Sequence, residues 1–203
     1  MENIQVVNEN TLWKSIIAGE QPAFKMLYEA YVDLLYAYAS RYTKDKEVIL
    51  DCIHDLFIDL HTWRRNLATE VNVRYYLLSS MRRKLLTAAK KASRTSLQGD
   101  MMQFSVDFET ESVQSAIIAT EQEQQLYRQL AKHLNQLPAR QKEIIYLKYH
   151  CDLSYEEIAA IMQISVPTCR TLAYRAIKQM RQAMDASTAT AFSIILCQVL
   201  QAL

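Results

Sequence analysis

The residues able to do chemistry differ in how far their spacing supports it. Asp51 and His54 have the acid-x-x-His spacing of half a carboxylate-bridged metal site, and Asp55 and Asp59 continue the acidic row. Such a site needs a second acid-x-x-His motif and inward acids from other helices. Neither His61, His133 nor His150 supplies one, and the acidic row faces away from the apolar side of Cys52 to Phe57. Metal catalysis is therefore not expected, nor is any metal or other cofactor, and the chain does not read as an enzyme. Cys52, Cys151, Cys169 and Cys197 are widely spaced with no CxxC, which argues against a zinc site or a redox pair. The helical pattern turns Cys52 and Cys169 inward as small apolar residues. The remaining set is cationic and hydrogen-bonding: Thr168, Arg170, Thr171, Tyr174, Arg175 and Lys178, at helical spacing, with no acid from Ile158 to Met184. Arginine can bond guanine bidentately, threonine can touch a thymine methyl, and lysine or arginine can pair with phosphate. That is recognition of a polyanion, not bond-making.

Helices must position these groups. The 203 residues include only two glycines and three prolines, and half are apolar or aromatic, so the chain can bury real cores and reads as all-α. A short helix is expected near Thr11 to Ala18. Phe24, Leu27, Tyr28, Tyr31, Leu35, Tyr38 and Tyr42 mark a second, with an aromatic-rich inward stripe. Ile49, Cys52, Ile53, Leu56, Phe57, Leu60 and Trp63 mark a third, and Arg64 to Asn72 reads as a loop. Val73, Leu77, Leu78, Met81, Leu85 and Ala88 form the inner face of a fourth, whose other side carries Ser79, Arg83, Thr87, Lys90 and Lys91. Two small helical domains follow: one over residues 1–94, a linker over 95–120, a second domain over 121–184, and an apolar tail over 185–203.

The net charge of +1 conceals a strong pattern. Val71 to Gly99 holds no acid but carries Arg74, Arg82, Arg83, Lys84, Lys90, Lys91 and Arg94. Thr95 to Tyr127 holds no base but carries Asp100, Asp107, Glu109, Glu111, Glu121 and Glu123. Two basic patches flanking an acidic stretch point to two contacts with a polyanion. The first residues lack a basic-then-apolar leader, and Phe192 to Leu203 is shorter than the roughly 20 residues a bilayer span needs, so a cytoplasmic protein is expected.

From about Leu137 to Gln182 the sequence spells a helix-turn-helix. Pro138 suits a first helical turn, and His150, Cys151 and Asp152 end that helix. Ser154 and Glu157 make a capping box for a short helix with Tyr155, Ile158, Ala159 and Met162 on one face. Gln163 and Ile164 turn the chain. Ser165 caps the next helix, with Pro167 in its first turn and Val166, Cys169, Ala173 or Leu172, Ile177 and Met180 inward. Gln163 stands where such turns often hold a left-handed glycine, which should carry a local cost.

The run from Leu137 to Tyr149, the run from Leu153 to Ala159, and Ser165 to Arg170 with Tyr174 to Lys178 together resemble region 4 of sigma-70-family factors. The likeness is strongest to the extracytoplasmic function (ECF) subfamily, of the Bacteroidetes iron-citrate regulator-like type. Ala23 to Tyr31 resembles region 2.1. Asp51 to Phe57 sits where the family has Asp-x-x-Gln-Glu-x-Phe, with His54 for the Gln and Asp55 for the Glu. Tyr76 to Lys84 sits at the segment that opens the −10 element, with Arg83 for a usual Asn and Thr87 for a usual Asp.

The resemblance implies a sigma factor that binds core RNA polymerase at the β′ clamp helices and β flap and directs it to promoters. Thr168, Arg170, Thr171, Tyr174, Arg175 and Lys178 would face the −35 element. Asn66, Thr69 and Asn72 would capture a flipped −10 base, Tyr75 or Tyr76 would stack, and Arg82, Arg83, Lys90 and Lys91 would hold strand phosphates. Asp51, His54, Asp55 and Phe57 would dock on polymerase. An anti-sigma partner is implied, and a monomer when free. The alternative is a helix-turn-helix regulator with an N-terminal sensor domain. The tail residues Phe192, Ile194, Ile195, Val199, Leu200 and Leu203 could form an amphipathic helix that packs on one of the domains.

Overall fold

In the computed structural model, residues 9–95 and 131–182 are described. They are helical with no strand among them, as the composition requires. The chain divides into two compact units, Met1–Met102 and Gln103–Leu203. The acidic segment beyond Thr95 and the apolar tail lie outside the described residues.

Unit 1 contains α1 (Glu9–Ala18), α2 (Gln21–Ala39), α3 (Lys46–Trp63), a 3₁₀ turn (Arg64–Asn66) and α4 (Val73–Thr95). The expected loop after α3 thus begins with a helical turn. Asp45 caps α3, its carboxylate accepting from the N–H groups of Glu47 and Val48. The core joins Trp13 and Ile16 of α1, Leu27, Leu35 and Tyr38 of α2, Ile49, Ile53, Leu56 and Leu60 of α3, and Leu77, Leu78, Met81 and Leu85 of α4. Tyr31 is also buried, and its hydroxyl donates to Glu9 Oε1 at 2.6 Å. Desolvation first, then that carboxylate, pushes the Tyr31 phenol well above its ordinary range.

The periodicity of α3 fails at its last turn. Trp63 was expected inward, yet it is 59% exposed. Arg64 takes the inner place instead: it is half-buried, and its Nε lies 3.0 Å from where a Cβ on Gly19 would stand. Gly19 turns α1 into α2 at φ +88°, a conformation glycine adopts without strain. Phe24, Tyr28, Phe57 and Ala88, also expected inward, are only half-buried.

Unit 2 contains helical residues 131–136 (α5), α6 (Ala139–Tyr149), α7 (Tyr155–Met162) and α8 (Val166–Gln182). Pro138 sits at the N-cap of α6, one place before the expected first turn. Ile144 to Leu147 are all buried, so α6 is the central helix, packed by both α7 and α8. The buried side of α8 is Cys169, Ala173, Ala176 and Met180; Val166 and Ile177, expected inward, are half-exposed. Small residues on that stripe bring α8 close to α6 and α7, which leaves the wider side chains at its margins. Among the described residues no helix is long and apolar enough to cross a membrane.

Candidate nucleic-acid interface

The geometry of α8 begins with its caps. The Ser154 hydroxyl accepts from the Glu157 N–H at 3.2 Å, and Glu157 Oε2 accepts from the Ser154 N–H at 2.8 Å, so the expected capping box is formed. Ser154→Ala should lower the stability of unit 2 by about 0.5–2 kcal/mol, read as a lower melting temperature. Gln163 adopts φ 55°, ψ 48°, with its N–H on Ala160 O and the Ile164 N–H on Ala159 O, a Schellman closure. Gln163→Gly should therefore stabilise unit 2 by roughly 0.5–1 kcal/mol, the left-handed penalty of about 1–2 kcal/mol less the entropy glycine adds to the unfolded chain. A thermal melt checks it; a lower midpoint would refute the account.

The turn aims α8 outward. Thr168, Arg170, Thr171, Tyr174, Arg175 and Lys178 are all exposed, Tyr174 at 64%. All six expected residues thus share one open face. The Thr171 hydroxyl donates to Pro167 O, and the Thr168 hydroxyl pairs with Ser165 Oγ, so both present methyl surface. Arg170 Nη2 lies 2.8 Å from Glu156 Oε1, and its guanidinium stands 5.9 Å from the Tyr155 ring centre. A hydrogen bond from its own backbone N–H, aided by the Arg170 guanidinium, holds the Glu156 carboxyl below the usual carboxylate range. Both partners of the pair are about 60% exposed, so the ion pair is weak and easily exchanged for another anion or a base edge.

In unit 1 the second expected set falls on α4 and the loop before it. Arg83, Lys90 and Lys91 are exposed, with Arg83 Nη2 on Ser80 Oγ at 3.1 Å. Arg82 is half-buried and its Nε donates to the Tyr42 hydroxyl, so it also serves the fold. Asn66, Thr69 and Asn72 are exposed. Asn72 Oδ1 accepts from the Tyr75 N–H and thereby caps α4. Thr69 and Asn72 line a cleft of about 380 Å³ with Asn10, Lys14, Glu70 and Val71. The loop is anchored from α1: the Trp13 indole N–H donates to Ala68 O at 2.9 Å. Tyr76 packs edge-on against the Trp13 ring at 5.2 Å, and its burial pushes its phenol up.

The third set lies on α3. Asp51, His54 and Asp55 are exposed, while Phe57 is half-buried against Tyr28 with ring centres 5.0 Å apart. Asp51, Asp55 and Asp59 form one outward row, and Leu50, His54 and Ile58 form the row beside it. Leu50 and Ile58 are 41% and 61% exposed. Sequence reasoning passed over these two; the signal was two large apolar residues off the inward stripe. Beside them an apolar cleft of about 510 Å³ opens between α2 and α3, lined by Phe24, Tyr28, Phe57, Ile58 and His61. No cluster of acids, histidines or cysteines able to hold a metal occurs among the described residues.

Residues 27–95 match the family model for Sigma-70 region 2, and residues 127–180 match the model for Sigma-70, region 4. The chain belongs to the sigma-70 family. One relative is the ECF RNA polymerase sigma factor SigK of Mycobacterium ulcerans (strain Agy99), 23% identical over 88% of this chain and 94% of the relative. Solved structures share the fold. CnrH, solved with the cytosolic domain of CnrY, matches at TM-score 0.55 and 19% identity, over 87% of this chain and 97% of that one. The sigma factor RpoE, solved with the anti-sigma factor NepR from Bartonella quintana, matches at TM-score 0.53 and 20% identity, over 79% and 95%. This sigma factor is of the ECF type, and it binds core RNA polymerase and promoter DNA to direct transcription initiation. The match of unit 1 to region 2 is what disfavours an N-terminal sensor domain.

Proposed function

We propose that the factor works as a two-part promoter clamp in the cytoplasm, without catalysis of its own, and that it is a monomer when free. The reading of unit 2 is that α8 enters the major groove at the −35 element. Arg170 and Arg175 would reach base edges or phosphate, Thr168 and Thr171 would offer methyls to thymine, Tyr174 would pack on the backbone, and Lys178 would pair with phosphate. In unit 1, Thr69 and Asn72 would hold a flipped −10 base with Asn66 beside them. Tyr75 and Tyr76 would supply stacking surface, and Arg82, Arg83, Lys90 and Lys91 would track the strand.

Asp51, His54, Asp55 and Phe57, joined by Leu50 and Ile58, would dock on the β′ clamp helices, with unit 2 against the β flap. Residues 95–120 would link the two parts. An anti-sigma factor would bind the free protein, as NepR binds the sigma factor RpoE of Bartonella quintana. An origin among the Bacteroidetes iron-citrate regulator-like factors belongs to this proposal.

The observation that carries the reading is the open, acid-free face of α8. A few phosphate contacts per unit give weak, salt-sensitive binding, so two such contacts become strong only when polymerase holds both at one separation. Run-off transcription with purified core polymerase on the gene's own upstream region tests it. A discrete transcript from this factor alone is expected. A transcript that appears only when another sigma factor is added would return the chain to the regulator class.

A further inference from the structure

The two tryptophans of the chain stand in opposite environments: Trp13 is 1% exposed and Trp63 is 59% exposed. An indole left in water forgoes the burial that the Trp13 ring has, so the exposed ring invites a ligand. Trp63 lines one end of a groove of about 640 Å³ between α3 and α4, together with Tyr76, Ser80 and Arg83. The charge at this end favours an anion. Arg83 lines it, the exposed Arg65 lies two residues after Trp63, and no acid occurs between Leu60 and Thr69. The nearest carboxylate on α3, Asp59, is already paired with Lys84 at 2.6 Å. Asp55 and Asp51 belong to the far end, about 12 and 18 Å away along the helix axis. Tyr76 packs on Trp13, and Trp13 holds Ala68, so this end of the groove adjoins the loop that leads to Thr69 and Asn72.

We propose that Trp63 is a stacking platform for an unpaired base of the opened promoter strand, beside the base held by the loop. The proposal deepens the −10 reading above and rests on it. The occupant is single-stranded DNA because an aromatic ring with the Arg83 guanidinium in the same groove meets both halves of a nucleotide, the π-face of the base and the phosphate. Every base has a π-face, so Trp63 sets how tightly the strand is held and leaves base identity to the polar groups of the loop. The side chain is outward, so its removal leaves the core of unit 1 intact.

The test uses holoenzyme assembled from the full chain and core polymerase. The probe is a pool of random-sequence single-stranded oligonucleotides in which 5-iodouracil replaces thymine. Irradiation couples that base to an aromatic ring stacked on it, and the crosslinked peptides are mapped. A crosslink at Trp63 is expected. In parallel, Trp63→Ala should weaken holoenzyme binding of the single strands by about 5- to 150-fold, Trp63→Phe should recover most of the loss, and binding of duplex from the same pool should not move. Crosslinks confined to residues 67–72 and α4, or an alanine variant that holds single strand like the wild type, would overturn the proposal while the −10 reading stands. A wild-type holoenzyme that starts no transcript would overturn the parent reading, and this one with it.

Discussion

Replacing Arg170 by alanine is expected to cut promoter-directed initiation by roughly 5- to 150-fold, the equivalent of one bidentate base contact worth about 1–3 kcal/mol. The reason lies in what Arg170 touches in the free protein. It pairs with Glu156 at 2.8 Å across the helix-turn-helix, both side chains about 60% exposed, and its guanidinium stands 5.9 Å from the Tyr155 ring centre. An exposed pair of this kind contributes about 0–1 kcal/mol to stability. Arg170→Ala should therefore leave the melting of unit 2 nearly unchanged while promoter binding falls. The loss should be specific: discrimination at one −35 base pair relaxes. Lys178→Ala should differ, weakening all promoters alike and reducing the salt dependence of binding by about one counterion. Run-off assays on a promoter and on its single-base variants separate the two. An Arg170→Ala holoenzyme that transcribes every variant as the wild type does would remove Arg170 from the interface.

Much of this architecture could be read from the chain, and the failures have physical causes. The caps were legible because they are local: Ser154 and Glu157 lie three residues apart, and their reciprocal bonds depend on nothing beyond that turn. The left-handed Gln163 was legible for the same reason. The open face of α8 followed from its charge pattern, since six polar or cationic residues at helical spacing leave only one side to bury.

What could not be read depends on neighbours. Periodicity assigns Trp63 to the inner stripe of α3, but the inner place at that turn belongs to whichever side chain fits against α1. Gly19, distant in sequence, makes that space the right shape for Arg64. Val166 and Ile177 were displaced in the same way, by small residues that let α8 approach closely. The exposed Leu50 and Ile58 are a different case. Helical pattern placed them outside correctly, but a pattern alone gives no reason for an apolar residue to stay there; the cleft beside them does.

Trp13→Ala is expected to have the largest effect on stability, lowering that of unit 1 by about 3–5 kcal/mol. The ring is 1% exposed, its indole N–H donates to Ala68 O, and it packs in a T-shaped pair with the Tyr76 ring. The substitution opens a cavity in a four-helix core and frees the loop in one step. Because the chain forms two compact units, urea unfolding should show the unit 1 transition shifting to lower concentration while the unit 2 transition stays in place.

Trp13→Phe isolates the functional half of the argument. Phenylalanine keeps most of the apolar volume but cannot donate to Ala68. Unit 1 should then remain folded, at a cost of about 1 kcal/mol for the lost hydrogen bond. Amide exchange in residues 67–72 should accelerate, because their tether to α1 is gone. Initiation on duplex promoters should fall by more than initiation on promoters opened in advance across the −10 element. A loop that must be pre-positioned to catch a flipped base contributes most when the duplex still has to open. If exchange in 67–72 and duplex initiation are both unchanged in Trp13→Phe, Trp13 is only a core residue and the link from α1 to the −10 loop has no functional role.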